Sequence, residues 1–252
     1  MASVSIGRAW EETSAFVKRE GGLLFPVALL LISIPFALLF QMIPLPVRQA
    51  IMARGEGAAN VPVMIPASLV LGAVMAGAIA VIGTLTLYAL ALRPGISVAE
   101  ALQLALRRFA VLTGASALIF AGLLVPVIAV SALPPPLGQL GLLAVLLFLS
   151  VRFMASNAVI VDRGLGVFAT IRECWQLTRG HFWRLSAYLL IGAALTTLAQ
   201  VVAQMLFGLV GYAIGGASAG QAAADTGLSL VFGVAQVYFA VMISRIYQQL
   251  SA

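Results

Sequence analysis

Two arginines, Arg152 and Arg245, stand inside apolar runs long enough to cross a bilayer. A charge at such a depth costs about 2.5–3.5 kcal/mol on insertion scales, which makes each a candidate for function. Arg152 lies about ten residues before Asp162-Arg163, roughly two to three turns from the end of its run. It could bind a lipid phosphate or a carboxylate between helices. It could equally snorkel, or bond a carbonyl or Asn157. Arg245 is nearer its helix end, where snorkelling is the stronger reading. Gln200 and Gln204 share a helix face and, with Gln236, could line a polar cavity or simply bond neighbouring helices, worth about 0.6 kcal/mol each. His181 could be a general base or pH sensor, or a bland interfacial histidine. Cys174 is the sole cysteine, so no intrachain disulfide can form, and it reads as a small packed residue. One His and one Cys make a Cys/His zinc site implausible. The acids Glu11, Glu12, Glu20, Glu56, Glu100, Asp162, Glu173 and Asp225 all fall outside the apolar runs. That leaves no intramembrane carboxylate pair for proton relay and no metal-spaced cluster. No P-loop is present either. No catalytic residue, metal or cofactor is implied, and the expectation is a protein that is not an enzyme.

Positioning these residues falls to a membrane scaffold. Of 252 residues, 62% are hydrophobic and 9% charged, and the mean hydropathy is +1.11. A soluble domain averages about 25% charged residues. Fourteen basic residues against eight acidic give a net charge of +6. The bases cluster in short segments beside apolar runs, which points to anionic lipid rather than nucleic acid.

Residues 163–184 organise the chain. Phe168, Ile171, Trp175, Thr178 and Phe182 recur at helical spacing, with Arg172, Gln176 and Arg179 opposite. Such a basic helix suits the membrane interface, with Trp175 and Trp183 at headgroup depth. Two stretches share the design. Residues 5–20 place Ile6, Trp10, Thr13 and Val17 against Arg8, Glu11, Glu12, Lys18 and Arg19, with Gly21-Gly22 expected to end the helix. From the capping-box pattern Ser97-Val98-Ala99-Glu100, a second sets Val98, Leu102, Ala105 and Phe109 against Glu100, Gln103 and Arg107, with Arg107-Arg108 expected to close it.

Six spans follow: 23–43, kinked by Pro26 and Pro35 and read as a retained anchor rather than a cleaved signal; 63–92, with small residues at 72, 73, 76, 77, 80 and 83; 110–133, kinked at Pro126; 137–161; 186–214; and 226–249. The polar loop 44–62 carries Arg48, Arg54 and Glu56, and Gly211 and Gly215 form a GxxxG pair. The basic residues favour cytoplasmic termini and even-numbered loops. The fold class expected is all-α and polytopic: one integral domain built as a pseudo-threefold repeat of amphipathic helix plus hairpin, in units 5–92, 97–161 and 166–249. Arg152 and Arg245 occupy comparable places in their units; Tyr88 is the nearest polar residue in the first.

The run Val161-Asp162-Arg163-Gly164, with residues 171–184 (IRECWQLTRGHFWR), resembles the membrane domain attached to some glycerophosphodiester phosphodiesterases and found in stand-alone, largely uncharacterised bacterial inner-membrane proteins. That family often carries Ser at the place of Cys174 and Pro near Asn157. The resemblance implies a helical, non-catalytic domain in the inner membrane; in the fused proteins the chemistry belongs to a separate barrel. The reading that results is a multi-pass protein engaging anionic lipids, in membrane-lipid organisation or as a partner of lipid-handling proteins. The candidate lipid contacts are Arg152, Arg245, Arg107, Arg108, Arg172, Arg179 and Arg184. The anchors are Trp10, Trp175 and Trp183, and the intramembrane polar set is Asn157, Gln200, Gln204 and Gln236. The alternative is a transporter or lipid translocator with a polar path around Arg152. An enzyme acting on lipid would need a nucleophile or base near Arg152 or His181.

Overall fold

The computed structural model describes residues 5–44, 47, 66–131 and 133–251, and every regular element among them is helical. The loop bearing Arg48, Arg54 and Glu56 lies outside the described residues. The elements are α1 (Ile6–Ala28), a π-turn (Leu29–Ser33), α2 (Ile34–Met42), α3 (Ala67–Leu92), α4 (Val98–Ser131), α5 (Pro135–Phe153), α6 (Ser156–Arg163), α7 (Val167–Leu177) and α8 (Phe182–Ser251). Five helical stretches are long and apolar enough to cross a membrane: Ile6–Met42, Ala67–Leu92, Val98–Val130, Pro136–Arg163 and Phe182–Ser251.

Two expected helix ends are absent. α1 runs unbroken through Gly21-Gly22, and α4 runs unbroken through Arg107-Arg108. A glycine stops a helix when it takes a left-handed conformation at the position after the cap. Among the described residues the positive-φ glycines are Gly95, Gly164, Gly180 and Gly216, and neither Gly21 nor Gly22 is one of them. Arginine is a good helix former and carries no stop signal of its own. The two basic stretches are therefore the first turns of long helices, and only α7 stands as a separate short one. The capping box ahead of α4 does form: Glu100 N–H donates to Ser97 Oγ at 3.2 Å, and Ser97 N–H donates to Glu100 Oε2 at 2.8 Å.

Pro35 acts through a change of register. Proline has no N–H, and its ring presses on the carbonyl four residues back. The chain widens just before it into the π-turn, where Ile34 N–H reaches back to Leu29 O. Pro26 and Pro126 sit inside α1 and α4 without ending them. The run 137–161 is two helices, not one: α5 stops after Phe153, and α6 restarts from Ala155 at φ −86°, ψ 0°.

The chain divides into two compact units. The first holds residues 1–24, 85–195 and 237–252. Three helix starts meet its core with small residues. Ala9 and Thr13 follow Ser5, Ala101 and Ala105 follow the Ser97 cap, and Thr170 and Cys174 follow the Gly166 cap, each pair four and eight residues on. All six side chains are fully buried. Leu85, Leu87, Val151, residues 158–161, Val237 and Val241 complete that core.

The second unit holds residues 25–84 and 196–236. Inside it α8 departs from helical geometry at Gly215 (φ −140°, ψ 16°) and Gly216 (φ 74°, ψ −161°). The chain folds back there. A Cβ on Gly208 would meet Ala224 Cβ at 3.3 Å, and one on Gly227 would meet the Phe207 ring at 2.8 Å. The GxxxG pair thus serves a hairpin within the chain. Of the small residues in α3, Gly83 abuts Leu31 and Ile32 of the π-turn, while Gly77 faces open space. An open apolar groove lies beside the same turn, lined by Phe25, Leu29, Ser33, Leu230 and Val234 among others.

Candidate functional site

Arg152 occupies the last turn of α5. Its guanidinium lies over the Trp175 ring at 4.5 Å and over the Phe148 ring at 5.2 Å. Phe148 in turn meets Trp175 edge-on at 5.8 Å and Phe182 at 5.8 Å. Such contacts stabilise by about 0.5–2 kcal/mol, more as water is excluded. Arg152 Nη1 donates to Thr178 Oγ1 at 3.4 Å, and that buried hydroxyl donates to Cys174 O at 2.9 Å. Arg152 Nε is buried with no hydrogen-bond partner. No carboxylate among the described residues pairs with Arg152. Asn157, considered as its partner, instead hydrogen-bonds Tyr88.

Arg245 is built the same way. Its guanidinium lies 4.8 Å from the centre of the Phe16 ring, and Arg19 approaches the same ring at 5.5 Å. Nη1 donates to Gln248 Oε1 at 3.0 Å, and Nε is buried without a partner. α1 thus places an aromatic face against the Arg245 side chain.

A second cluster of arginines gathers at the end of α6, where unpaired carbonyls make the helix terminus negative. Arg93 Nη2 donates to Val161 O at 3.2 Å, and Arg108 Nη1 donates to Gly164 O at 3.1 Å. Arg163 Nε donates to the Tyr247 hydroxyl at 3.1 Å, and that hydroxyl donates to Asp162 Oδ2 at 2.8 Å. Arg163 also forms an ion pair with Glu173. Arg108 is thus engaged in capping. Gly164 after Asp162-Arg163 carries the sequence signature of a helix C-terminus that needs such partners, although the sequence does not mark Arg93 or Tyr247 as supplying them.

Arg107, Arg172, Arg179 and Arg184 are exposed. The side chains of the first three make no hydrogen bond or ion pair with a described residue. Trp183 is 82% exposed, Trp10 52% and Trp175 43%. Trp10 also stacks on Tyr238, with centroids 6.0 Å apart. No family model, curated protein or solved structure matches this chain.

Gln200, Gln204 and Gln236 are half-buried members of the second unit, whereas Arg152 belongs to the first. His181 accepts a hydrogen bond from Leu185 N–H through its carbonyl at 3.1 Å, and its Nδ1 is buried without a partner. Cys174 is fully buried. Burial first, and then the charge of Glu173, push its thiol up to about 12. At pH 8 the thiolate fraction is then on the order of one in ten thousand. Iodoacetamide is expected to leave the native protein unlabelled from pH 7 to pH 9 and to label Cys174 fully once it is unfolded. Labelling of the native protein at the rate of a free thiol would contradict this burial.

Proposed function

We propose that the chain is a non-catalytic, six-span membrane protein that grips the anionic cytoplasmic leaflet of a bacterial inner membrane. Its role on this reading is membrane-lipid organisation, or service to lipid-handling partners. The observation that carries the reading is the presence of exposed Arg107, Arg172 and Arg179, whose guanidiniums bond no described residue, together with exposed Phe168, Trp175 and Trp183. Cationic groups near an anionic surface contribute about 1 kcal/mol each, and tryptophan favours headgroup depth.

Six spans are supported by the break at Gly215-Gly216. It leaves α8 as two arms, each about 50 Å long and sufficient for a hydrocarbon core of about 30 Å. The threefold repeat is supported by the three helix starts that bury small residues at the same two offsets. The basic residues, gathered at those starts, favour cytoplasmic termini. The likeness of residues 161–184 to the membrane domain of some glycerophosphodiester phosphodiesterases fits a role without catalysis.

The test uses vesicles in which only the anionic lipid is brominated, so that tryptophan quenching reports local enrichment. Quenching above that of random mixing is expected for the parent. It should fall several-fold in an Arg107→Gln/Arg172→Gln/Arg179→Gln variant, given about 1 kcal/mol per charge. Equal quenching by the two proteins would sink the electrostatic grip.

A further inference from the structure

We propose that Arg152 and the start of α8 form a discrete seat for one phosphate group, carried by a lipid headgroup. The inference rests on the reading of a lipid-engaging protein but concerns one site rather than a diffuse charged surface. The turn Thr178–Gly180, with Gly180 at φ 89°, delivers the first residues of α8 to the end of α5. Phe182 and the Arg152 guanidinium both lie on Phe148, at 5.8 and 5.2 Å. The N–H groups of the first helical turn have no acceptor within their own helix, and the helix dipole is positive there. No acidic residue occupies that turn.

A helix start alone makes no site, and here a second set of donors goes unfilled. Ser186, only 3% exposed, has no partner for its hydroxyl. It lies one turn beyond Phe182, on the same side of α8. Arg152 Nε and His181 Nδ1 are likewise buried without partners among the described residues. Arg152 carries a full charge that no described carboxylate balances. Native proteins seldom leave buried polar atoms unpaired. A phosphate supplies the missing negative charge and several acceptor oxygens at once, and a guanidinium fork matches it. The neighbouring Trp183, 82% exposed and in ring contact with Phe182, favours a phosphate that arrives on a lipid.

Trp175 reports directly, because Arg152 covers its ring. In a Trp10→Phe/Trp183→Phe background, dioctanoyl phosphatidylglycerol is expected to change Trp175 emission saturably. Dioctanoylglycerol, which lacks the phosphate, should not. Arg152→Gln should raise the half-saturating concentration by about tenfold or more, and Ser186→Ala by about threefold or more, as the loss of charged and neutral hydrogen bonds implies. Unfolding midpoints confirm that each variant is folded, and Ser186→Ala keeps the test alive if Arg152→Gln does not fold. An unchanged curve in the folded variants overturns the seat, as does a parent that shows no saturation. Saturation by inorganic phosphate with none by the lipid overturns the lipid source. The Arg107→Gln/Arg172→Gln/Arg179→Gln variant should still saturate, so failure of the surface grip and failure of this seat read out separately.

Discussion

Gly211→Val is expected to destabilise the protein by about 3 kcal/mol or more, at the upper end for overpacking a closed contact. Gly211 is buried where the two arms of α8 face each other. A Cβ there would stand 2.6 Å from Ala219 O and 2.6 Å from Ala223 Cβ. One of those atoms belongs to backbone and cannot swing aside. The strain must be met by parting the arms, which also separates Gly208 from Ala224 and Gly227 from Phe207. Gly122→Ala in α4 is the control, because nothing stands within 4 Å of its Cβ position. There the substitution only exchanges a poor helix former for the best one, so it should be neutral or stabilising by up to about 1 kcal/mol. Denaturant unfolding in detergent micelles, read by circular dichroism, measures both. If Gly211→Val and Gly122→Ala unfold at the same midpoint, the close seam does not exist.

That seam was half legible in the sequence. Gly211 and Gly215 were readable as a close-approach pair, but a four-residue spacing does not name the partner, which is the arm only a few residues further on. Long apolar runs were legible because a bilayer demands length and composition together. Continuity through Gly21-Gly22 was not legible. In apolar surroundings an unpaired backbone group costs several kcal/mol, more than the helix penalty of two glycines, so the helix persists. The break after Phe153 carried no sequence mark, since neither Met154 nor Ala155 is a breaker. Among the site residues, Arg152 and Arg245 stood out by their apolar surroundings alone. Their aromatic partners did not, because Phe16 and Arg245 lie at opposite ends of the chain. The capping bond of Arg108 was not legible for the same reason: its acceptor at Gly164 is 56 positions away.

The three small-residue helix starts lead to the sharpest test of the repeat. Ala9→Leu and Ala101→Leu are expected to cost about 3 kcal/mol each, and Thr170→Phe a similar amount. These positions lie four residues after their caps and are fully buried, so added bulk has no exit to solvent or lipid. Interiors are packed near crystal density, and the same unit holds Leu85, Leu87 and Val151, themselves buried completely. Leu106→Ala, at a side chain 53% exposed on the same helix as Ala101, should change stability by less than about 0.5 kcal/mol. A total stability of 5–15 kcal/mol is typical, so a loss of about 3 shifts the unfolding midpoint plainly. The comparison across the three starts matters more than any single value. A repeated architecture gives each start the same duty, to wedge a narrow face into a common core, and so predicts losses within about 1 kcal/mol of one another. One start that accepts the larger side chain freely would mean that its small residues are incidental, and that two helices rather than three build the core beneath the basic surface.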